Sequence, residues 1–384
     1  MKNILKEKIL IVDSNIDYAK FFQKLLKDSG YLSYIASSYD EAIVIIYDKI
    51  PDCILVDYML PNSGAIRLSE HIKKDNMLKN IVVIFLTTTY SKNFCLKAFE
   101  YGADGFFLKS IDTDIFLSKI KAYIRLKRTI ESNLMYMTML KQDMEYASKL
   151  QKNILSYGNT SIPKNDISIY HYAPNEISGD YIGIKVINDG WYAIIVVDVL
   201  GHGIASSMAT ILIKSFFDSN AVIDNKNTLP SCFIMKLNNF FLENNFDKNL
   251  FLSIFYAIYD NNNGKLICSS GGAPKPLYYS NLNENIKEIK VEGPLVGIME
   301  NSKYYDTSIT INHNDLLFVF TDGAYEIFNT KGKMLGEDKL KEIFFKYIDN
   351  NINVIKDNII KELKSFSNNN IYDDISIIIL RRTN

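Results

Sequence analysis

Aspartate and glycine adjoin apolar, strand-forming runs at five places in the C-terminal half of the chain. These places are residues 178–181, 197–203, 292–297, 320–323 and 372–377. An aspartate that ends a strand and is followed by glycine leaves room for its carboxylate to approach an ion. Several such aspartates at one edge require a cation, because buried like charges raise each other's pKa. A single Asp-Gly pair is typical of a turn or a helix cap, so the prediction depends on the ordered set.

Magnesium or manganese would suit such a site. Its ligands are hard oxygen atoms, and the chain has no cluster of cysteine and histidine that would favour zinc. Two such ions about 3.5–4 Å apart can share a bridging hydroxide that attacks phosphorus in line. The protein then needs no nucleophile of its own, and no cysteine of the chain begins a C-x5-R phosphatase loop.

A second set of polar residues follows apolar runs in the N-terminal part. Asp13 follows the first run, Asp57 the third, Thr87 the fourth and Lys109 the fifth. The carboxyl ends of parallel strands meet at one edge of a sheet, so we expect these four side chains to share a pocket. There a carboxylate could accept a phosphoryl group, a lysine could pair with its oxygens and a hydroxyl could donate a hydrogen bond.

The elements that position these residues differ between the two halves. Residues 8–125 alternate five short apolar strands with five helical patterns, and the runs at 53–56 and 81–86 are continuously apolar. That pattern predicts an open α/β fold with a parallel sheet buried on both faces. Residues 167–380 are rich in strands, with helical patterns at 205–217 and 338–365, which predicts an α+β domain with antiparallel sheets.

A long helix is predicted between the two halves, because residues 113–156 contain neither proline nor glycine. Apolar residues recur there in steps of three and four, at Ile130, Leu134, Met137, Leu140, Met144, Ala147, Leu150 and Ile154. This spacing fits the seam of a parallel coiled coil. It fits equally an amphipathic helix docked on its own domain. The turn-forming stretch 157–163 ends the helix.

Length and composition limit the class of protein. A chain of 384 residues with 47% apolar and 23% charged residues predicts two globular domains. A net charge of −1 without a basic cluster argues against nucleic-acid binding. We expect no membrane insertion, because no run of 18 apolar residues occurs, and we expect a cytoplasmic location with reduced cysteines.

The N-terminal motifs resemble those of the response-regulator receiver family over about residues 7–125. The matching segments are 9–13, 57–64, 85–87 and 102–109. The resemblance implies that Asp57 is the phosphoacceptor, that Thr87 and Phe106 form the switch pair, and that Lys109 pairs with the phosphate beside Asp13 and Mg²⁺. Two positions depart from the family pattern. Ser14 replaces an acid that supplies a metal ligand, and Ser110 replaces a proline, so we expect weak or metal-insensitive phosphorylation.

The C-terminal motifs resemble those of PPM-type metal-dependent phosphatases of the SpoIIE- and RsbU-like group, over about residues 145–382. The segments that carry the likeness are 147–155, 198–203, 292–297, 315–326 and 373–376. The resemblance implies these metal ligands: Asp180, a bridging Asp198, the Val199 carbonyl, Asp322 and Asp373.

The same group helps to interpret several neighbouring positions. Asp374 is expected to assist the metal site, and His202 to hold its loop. Gly183 and Ala273 replace an aspartate and a histidine of the group, which could alter the rate or remove an accessory metal. By this comparison neither change removes a principal ligand.

Together these features predict a flavodoxin-like receiver domain (1–125), a helical linker (126–158) and an α+β PPM-type phosphatase sandwich (159–384). The expected function is a two-component response regulator that hydrolyses phosphoserine or phosphothreonine on a protein with two Mn²⁺ or Mg²⁺ ions. The resemblance implies an anti-sigma-factor antagonist as substrate and a sensor histidine kinase as partner, and the linker suggests a homodimer. The alternative is a catalytically weak phosphatase fold that acts by binding partners. A DNA-binding regulator is disfavoured by the near-neutral charge.

Overall fold

The computed structural model forms two compact units, Met1–Leu140 and Lys141–Asn384. Within the chain it describes residues 6–89, 91–155, 161–174, 177–188, 190–201, 203–221, 229–244, 246 and 250–383. The predicted turn at 157–160 and His202 lie outside these residues. No helix in these ranges is both long enough and apolar enough to cross a membrane.

The first unit is an open α/β fold around a five-stranded parallel sheet of order β2-β1-β3-β4-β5. Its strands are β1 Lys8–Val12, β2 Leu32–Ala36, β3 Cys53–Asp57, β4 Val82–Thr87 and β5 Gly105–Leu108. Its helices are α1 Ile16–Asp28, α2 Tyr39–Lys49, α3 Gly64–Lys74, α4 Lys92–Glu100 and the first part of α5 Thr113–Ile154. This order is the flavodoxin-like arrangement, so the predicted fold is confirmed.

Local sequence signals explain where these helices begin and which face they bury. The Asn15 side chain caps α1 by accepting hydrogen bonds from two backbone N–H groups of its first turn. Ala19, Phe22 and Leu26 then follow at helical spacing and are buried against the sheet. A second apolar cluster covers the opposite face of the sheet, so β3 and β4 are buried throughout.

Helix α5 is continuous from Thr113 to Ile154, as predicted. Phe116, Ile120 and Ile124 anchor its start in the core of the first unit. Every residue from 128 to 143 is exposed, including the apolar seam residues in that stretch. Leu134, Met137 and Leu140 of the seam are therefore not buried by the described residues of this chain.

The second unit contains two five-stranded antiparallel sheets, of order β13-β10-β9-β8-β7 and β12-β11-β14-β15-β6. The strands of the first are β7 Asp180–Asn188, β8 Trp191–Val199, β9 Leu252–Asp260, β10 Lys265–Gly271 and β13 Thr307–Thr310. Those of the second are β6 Asn165–Tyr172, β11 Leu277–Ser280, β12 Asn285–Glu288, β14 Leu316–Phe320 and β15 Ile375–Arg382. The helices are α6 Ile204–Asn220, α7 Pro230–Glu243, α8 Glu337–Tyr347 and α9 Ile352–Phe366.

Three apolar clusters show how these layers pack. One holds residues of both sheets, such as Val196 and Ile378, so the sheets lie face to face. A second joins β7–β9 to α6 and α7, and a third joins β14 and β15 to α8 and α9. The predicted α+β sandwich is confirmed. The helical pattern at 338–365 proves to be two helices, because the Asn351 side chain caps a new one.

Candidate functional site

Two of the predicted ligands, Asp180 and Asp198, lie opposite each other on paired strands. Asp180 begins β7, Asp198 stands near the end of β8, and the antiparallel register pairs the two residues directly. Asp180 is only 1% exposed, and the Thr321 hydroxyl donates a hydrogen bond of 2.9 Å to its Oδ2 atom. Directly opposed carboxylates repel each other, so this arrangement requires a shared proton or a cation.

The other two predicted ligands come from the second sheet. Asp322 follows the end of β14, and Asp373 precedes the start of β15. Because these strands are antiparallel neighbours, the end of one lies beside the start of the other. The Thr321–Asp180 hydrogen bond then joins this edge to β7 of the first sheet. Residues more than 140 positions apart are thereby gathered at one edge of the sandwich.

A cavity of about 420 Å³ opens at this edge. Its lining includes Asp198, Asp373, Asp374 and Glu326, together with several glycines. One of these glycines has a clear steric reason: a Cβ atom on Gly323 would lie 2.0 Å from the Asp374 carbonyl oxygen. The motif segments at 178–181, 197–203, 320–323 and 372–377 thus meet, as the spacing predicted.

Burial and mutual repulsion weaken the acidity of these carboxyl groups. Burial, followed by the charge of Asp198, raises the pKa of Asp180 well above its usual value. Burial, followed by the charges of Asp322 and Asp373, raises the pKa of Asp198 to about 8. Burial and Asp373 raise the pKa of Asp322 to about 6. A bound cation would offset each of these effects at once.

The donor set fits a hard divalent cation by its chemistry. In the part of the chain that the structure describes, no three His, Cys, Asp or Glu side chains converge closely enough to form a metal site by themselves. Asp198 nevertheless lies opposite Asp180, shares the cavity lining with Asp373, and has its pKa raised by the charges of Asp322 and Asp373, so the four carboxylates lie near one another. Carboxylate and carbonyl oxygens are the ligands that Mg²⁺ and Mn²⁺ prefer.

Asp374 has a positional role that the sequence did not reveal. Its Oδ2 atom accepts hydrogen bonds from the Ser178 hydroxyl at 2.7 Å and from the Gly179 N–H at 2.6 Å. The Ser178 hydroxyl in turn accepts a bond of 3.0 Å from the Asp180 N–H. Asp374 therefore fixes the segment that carries Asp180. The buried Thr321 was also missed, since its only sequence signal is that it precedes Asp322.

Two stretches of the predicted motif set have structural roles in the second unit. Residues 292–297 contribute no lining to the cavity, and Val296 forms a β-bridge with Leu252. Asp315 begins the β14 segment and is 1% exposed. Its carboxylate accepts hydrogen bonds from the Tyr278 hydroxyl and from the N–H groups of Asn281 and Asn312, so it pins two turns.

The two departures from the phosphatase pattern lie at closely packed positions. A Cβ atom on Gly183 would lie 2.5 Å from the Tyr181 hydroxyl oxygen and 2.9 Å from an Ile195 methyl carbon. An aspartate there would require these neighbours to move. Ala273 packs against the core between the two sheets.

The receiver residues also converge, at the carboxyl ends of β1, β3, β4 and β5. The Lys109 ammonium lies 2.6 Å from Asp13 Oδ2 and 3.1 Å from Asp57 Oδ1. The Thr87 hydroxyl donates to the Thr89 carbonyl at 3.1 Å. Phe106 is half-buried and makes an edge-to-face contact with Phe99, at 6.2 Å between ring centres.

Charge balance in this pocket depends on Lys109. Burial, followed by the charge of Asp13, raises the pKa of Asp57, and Lys109 opposes both effects. Ser14 is exposed beside Asp13 and adds no charge. The pocket therefore contains two carboxylates, Asp13 and Asp57, and one ammonium group, Lys109. A divalent cation bound there would have one carboxylate ligand fewer than in the receiver family.

Comparisons with known proteins agree with this division of the chain. The model of the family Stage II sporulation protein E (SpoIIE) matches residues 188–383, half of the chain. The model of the response regulator receiver domain matches residues 9–121.

Individual relatives match one half or the other. Phosphoserine phosphatase RsbU of Bacillus subtilis (strain 168) is 25% identical over 246 residues, which are 63% of this chain and 71% of RsbU. The phosphate regulon transcriptional regulatory protein PhoB of Escherichia coli (strain K12) is 28% identical over 121 residues, 32% of this chain and 53% of PhoB. The chain thus spans about half the length of PhoB.

A solved structure supports the fold of the second unit. The SiaA-PP2C domain of Pseudomonas aeruginosa superposes with a TM-score of 0.56 at 17% identity, over 64% of this chain and 98% of that domain. At this identity the likeness concerns the fold alone. With the family match over half of its length, the chain belongs to the SpoIIE family and carries a response-regulator receiver domain ahead of its phosphatase-type sandwich.

Proposed function

We propose that the chain is a metal-dependent phosphatase that hydrolyses phosphoserine or phosphothreonine on a protein, under the control of its receiver domain. The observation that carries the proposal is the grouping of four aspartates around Asp198: Asp180 faces it across the β7–β8 pair, Asp373 lines the same cavity, and the charges of Asp322 and Asp373 act on its pKa. Membership of the SpoIIE family and the likeness to RsbU, a phosphoserine phosphatase, support the reaction class. The proposed domains are residues 1–125, 126–158 and 159–384.

Each of these residues has a distinct proposed part. Asp180, Asp198 and the Val199 carbonyl would hold one Mn²⁺ or Mg²⁺ ion, and Asp322 and Asp373 would complete a second site, with Asp198 shared. Such ions, when bound, acidify a water molecule and offset the charge that develops on the phosphoryl group. Thr321 and Asp374 hold the ligands in place through the hydrogen bonds described above.

The cavity favours an anionic substrate whose negative charge would be bound by metal cations. Among the residues that the structure describes, the lining contains acids, glycines, Asn370 and apolar or aromatic residues but neither lysine nor arginine. The phosphate would therefore be recognised through the ions, and the apolar wall that includes Phe328 and Tyr372 would contact the polypeptide. The family resemblance supports an anti-sigma-factor antagonist as that polypeptide.

The receiver domain would supply the control. Asp57 is proposed as the phosphoacceptor for a sensor histidine kinase, with Lys109 and Thr87 as partners of the phosphoryl oxygens and Phe106 as the second switch residue. The contacts of Lys109 to Asp13 and Asp57 support this arrangement. We expect the enzyme to be cytoplasmic, because the receiver domain and the protein substrate would both act in the cytoplasm.

Removal of one ligand charge tests the phosphatase activity. In Asp322→Asn, loss of the carboxylate weakens the metal site and should lower turnover of an aryl phosphate and of a phosphoserine peptide by roughly tenfold or more. The exposed Asp357→Asn on α9 serves as a matched control and should retain full activity. Excess EDTA should abolish turnover. If the wild-type protein binds peptide without turnover, the chain acts by partner binding.

A further inference from the structure

Helix α5 reaches the candidate active site through one buried side chain, Gln151. This glutamine is 4% exposed and is surrounded by backbone groups of the second unit. Its Oε1 atom accepts a hydrogen bond of 3.0 Å from the Ser178 N–H, and its Nε2 atom donates one of 2.7 Å to the Ser178 carbonyl. The amide thus bonds both backbone groups of residue 178, as a neighbouring strand does in an antiparallel ladder.

Ser178, the residue that Gln151 bonds, lies two positions before Asp180. Its hydroxyl donates to Asp374 Oδ2 and accepts from the Asp180 N–H. The Gly179 carbonyl accepts a bond from the Val199 N–H at 3.0 Å, which fixes the other side of the segment. Residues 178–180 are therefore held by β8, by Asp374 before β15 and by Gln151 of α5. Of these three attachments, only Gln151 comes from a helix outside the two sheets.

The same amide also contacts the first turns of α6. Nε2 lies 3.0 Å from Thr210 Oγ1 and 3.3 Å from the Ser207 carbonyl oxygen. The Thr210 hydroxyl donates in turn to the Ser207 carbonyl at 2.7 Å. Helix α6 follows the loop after Asp198, so Gln151 connects the segments that carry both aspartates of the first sheet.

The seating of Gln151 depends on the last turns of α5. Ser148 and Leu155, three residues before it and four after it, are buried with it, whereas Leu150 and Ile154 are exposed. A turn of the helix about its axis would withdraw the amide and leave the Ser178 N–H and carbonyl without partners in a buried place. We propose that Gln151 is a positioning residue that fixes Asp180 for divalent-cation binding. Through Gln151, the affinity for the cation would depend on how the last turns of α5 are packed.

This inference rests on the proposed function, and it is tested in the full chain with Mn²⁺ alone. Gln151→Met keeps the length of the side chain but removes every hydrogen bond. Gln142→Met makes the same change at an exposed position of the same helix and is the matched control. The Mn²⁺ dissociation constant is measured by calorimetry, with the melting temperature and the turnover of an aryl phosphate recorded beside it.

We expect Gln151→Met to bind Mn²⁺ roughly tenfold more weakly than wild type, with turnover recovered largely at saturating Mn²⁺. Gln142→Met should match wild type. A folded Gln151→Met protein with unchanged Mn²⁺ affinity would overturn the inference, even if its melting temperature falls. If that variant does not fold, Gln151→Asn decides, because it keeps the amide but shortens its reach to Ser178, and unchanged affinity there has the same consequence. Wild-type protein that binds no Mn²⁺ would instead contradict the proposed function.

Discussion

At the scale of single residues, the receiver site differs from its family by one missing charge. Lys109 already offsets Asp13 and Asp57, and Asp13 Oδ1 accepts a hydrogen bond from the Asn15 N–H at 2.9 Å. Ser14 offers a neutral oxygen at an exposed position beside this pair. Because a neutral oxygen holds Mg²⁺ less strongly than a carboxylate does, phosphorylation of Asp57 should be slow and should respond little to Mg²⁺.

Restoring the acid tests this expectation. Ser14→Asp should raise the rate of labelling of Asp57 by a small-molecule phosphodonor by roughly tenfold, and the rate should become dependent on Mg²⁺. The measurement is the stoichiometry of phosphorylation over time, with Asp57→Asn as the unlabelled control. Equal rates for the native protein and Ser14→Asp would contradict the prediction.

At the scale of secondary-structure elements, the β6–β15 pair carries a half-buried histidine behind the candidate active site. His171 lies opposite Ser376 in the register, and its Nδ1 atom is 3.0 Å from the Ser376 hydroxyl oxygen. Burial, and to a lesser degree the charge of Lys152, lowers the pKa of His171 to about 4. The Ser376 N–H donates to Thr321 Oγ1, so this strand pair also supports the contact to Asp180.

The lowered pKa makes the contribution of His171 to the stability of the second unit sensitive to acid. The folded state holds His171 neutral, whereas the unfolded chain takes up a proton below its ordinary pKa of 6.5. The contribution of His171 to the free energy of unfolding should therefore fall as the pH drops from 6.5 towards 4, by about 2 kcal/mol at pH 5, whereas the raised pKa values of Asp198 and Asp322 act in the opposite direction. Trp191, the single tryptophan, lies in β8 and reports on this unit by fluorescence.

His171→Gln should remove this part of the pH dependence, and His313→Gln, at an exposed position, should not. Urea unfolding in EDTA at pH 5 and pH 7.5 provides the comparison. A His171→Gln protein whose free energy of unfolding changes by the same amount between these two pH values as that of the wild type would contradict the assignment.

At the scale of the whole molecule, the exposed middle of α5 suggests how two copies could associate. Leu134 is 50% exposed and Met137 is 68% exposed, in a stretch where no residue is buried. They belong to the run of three- and four-residue steps from Ile130 to Ile154, which fits a parallel two-helix coiled coil. The methionines would make this seam adaptable, which suits an element that transmits a signal.

A pair of charges in the seam tests the dimer. Leu134→Glu with Met137→Glu should give a monomer by light scattering at tens of micromolar, because buried glutamates would face each other across the seam. The matched control, Tyr136→Glu with Met139→Glu, changes residues of the same exposure, 66% and 50%, on another face of α5 and should leave a dimer. Native protein that is monomeric at this concentration would exclude the coiled coil.

The sequence by itself determined the class of each domain and the residues that could do chemistry. Continuous apolar runs at 53–56 and 81–86 favoured strands of a sheet covered on both faces. The absence of proline and glycine made α5 continuous. Asp180, Asp198, Asp322 and Asp373 could be named because the short motifs that contain them resemble those of PPM-type phosphatases, a signal that lies within a few residues of the chain.

Only the tertiary structure decided which partners hold these residues. The bond from Thr321 to Asp180 and the bonds from Ser178 and Gly179 to Asp374 join segments that no local pattern relates. Gln151 looked like one more polar residue of a helix until the fold placed Ser178 against it. The motif at 292–297 looked like part of the site, yet it lies in the packing around Leu252. Spacing along a chain predicts which face a side chain occupies, whereas hydrogen bonds between distant segments follow from the packing of the two sheets.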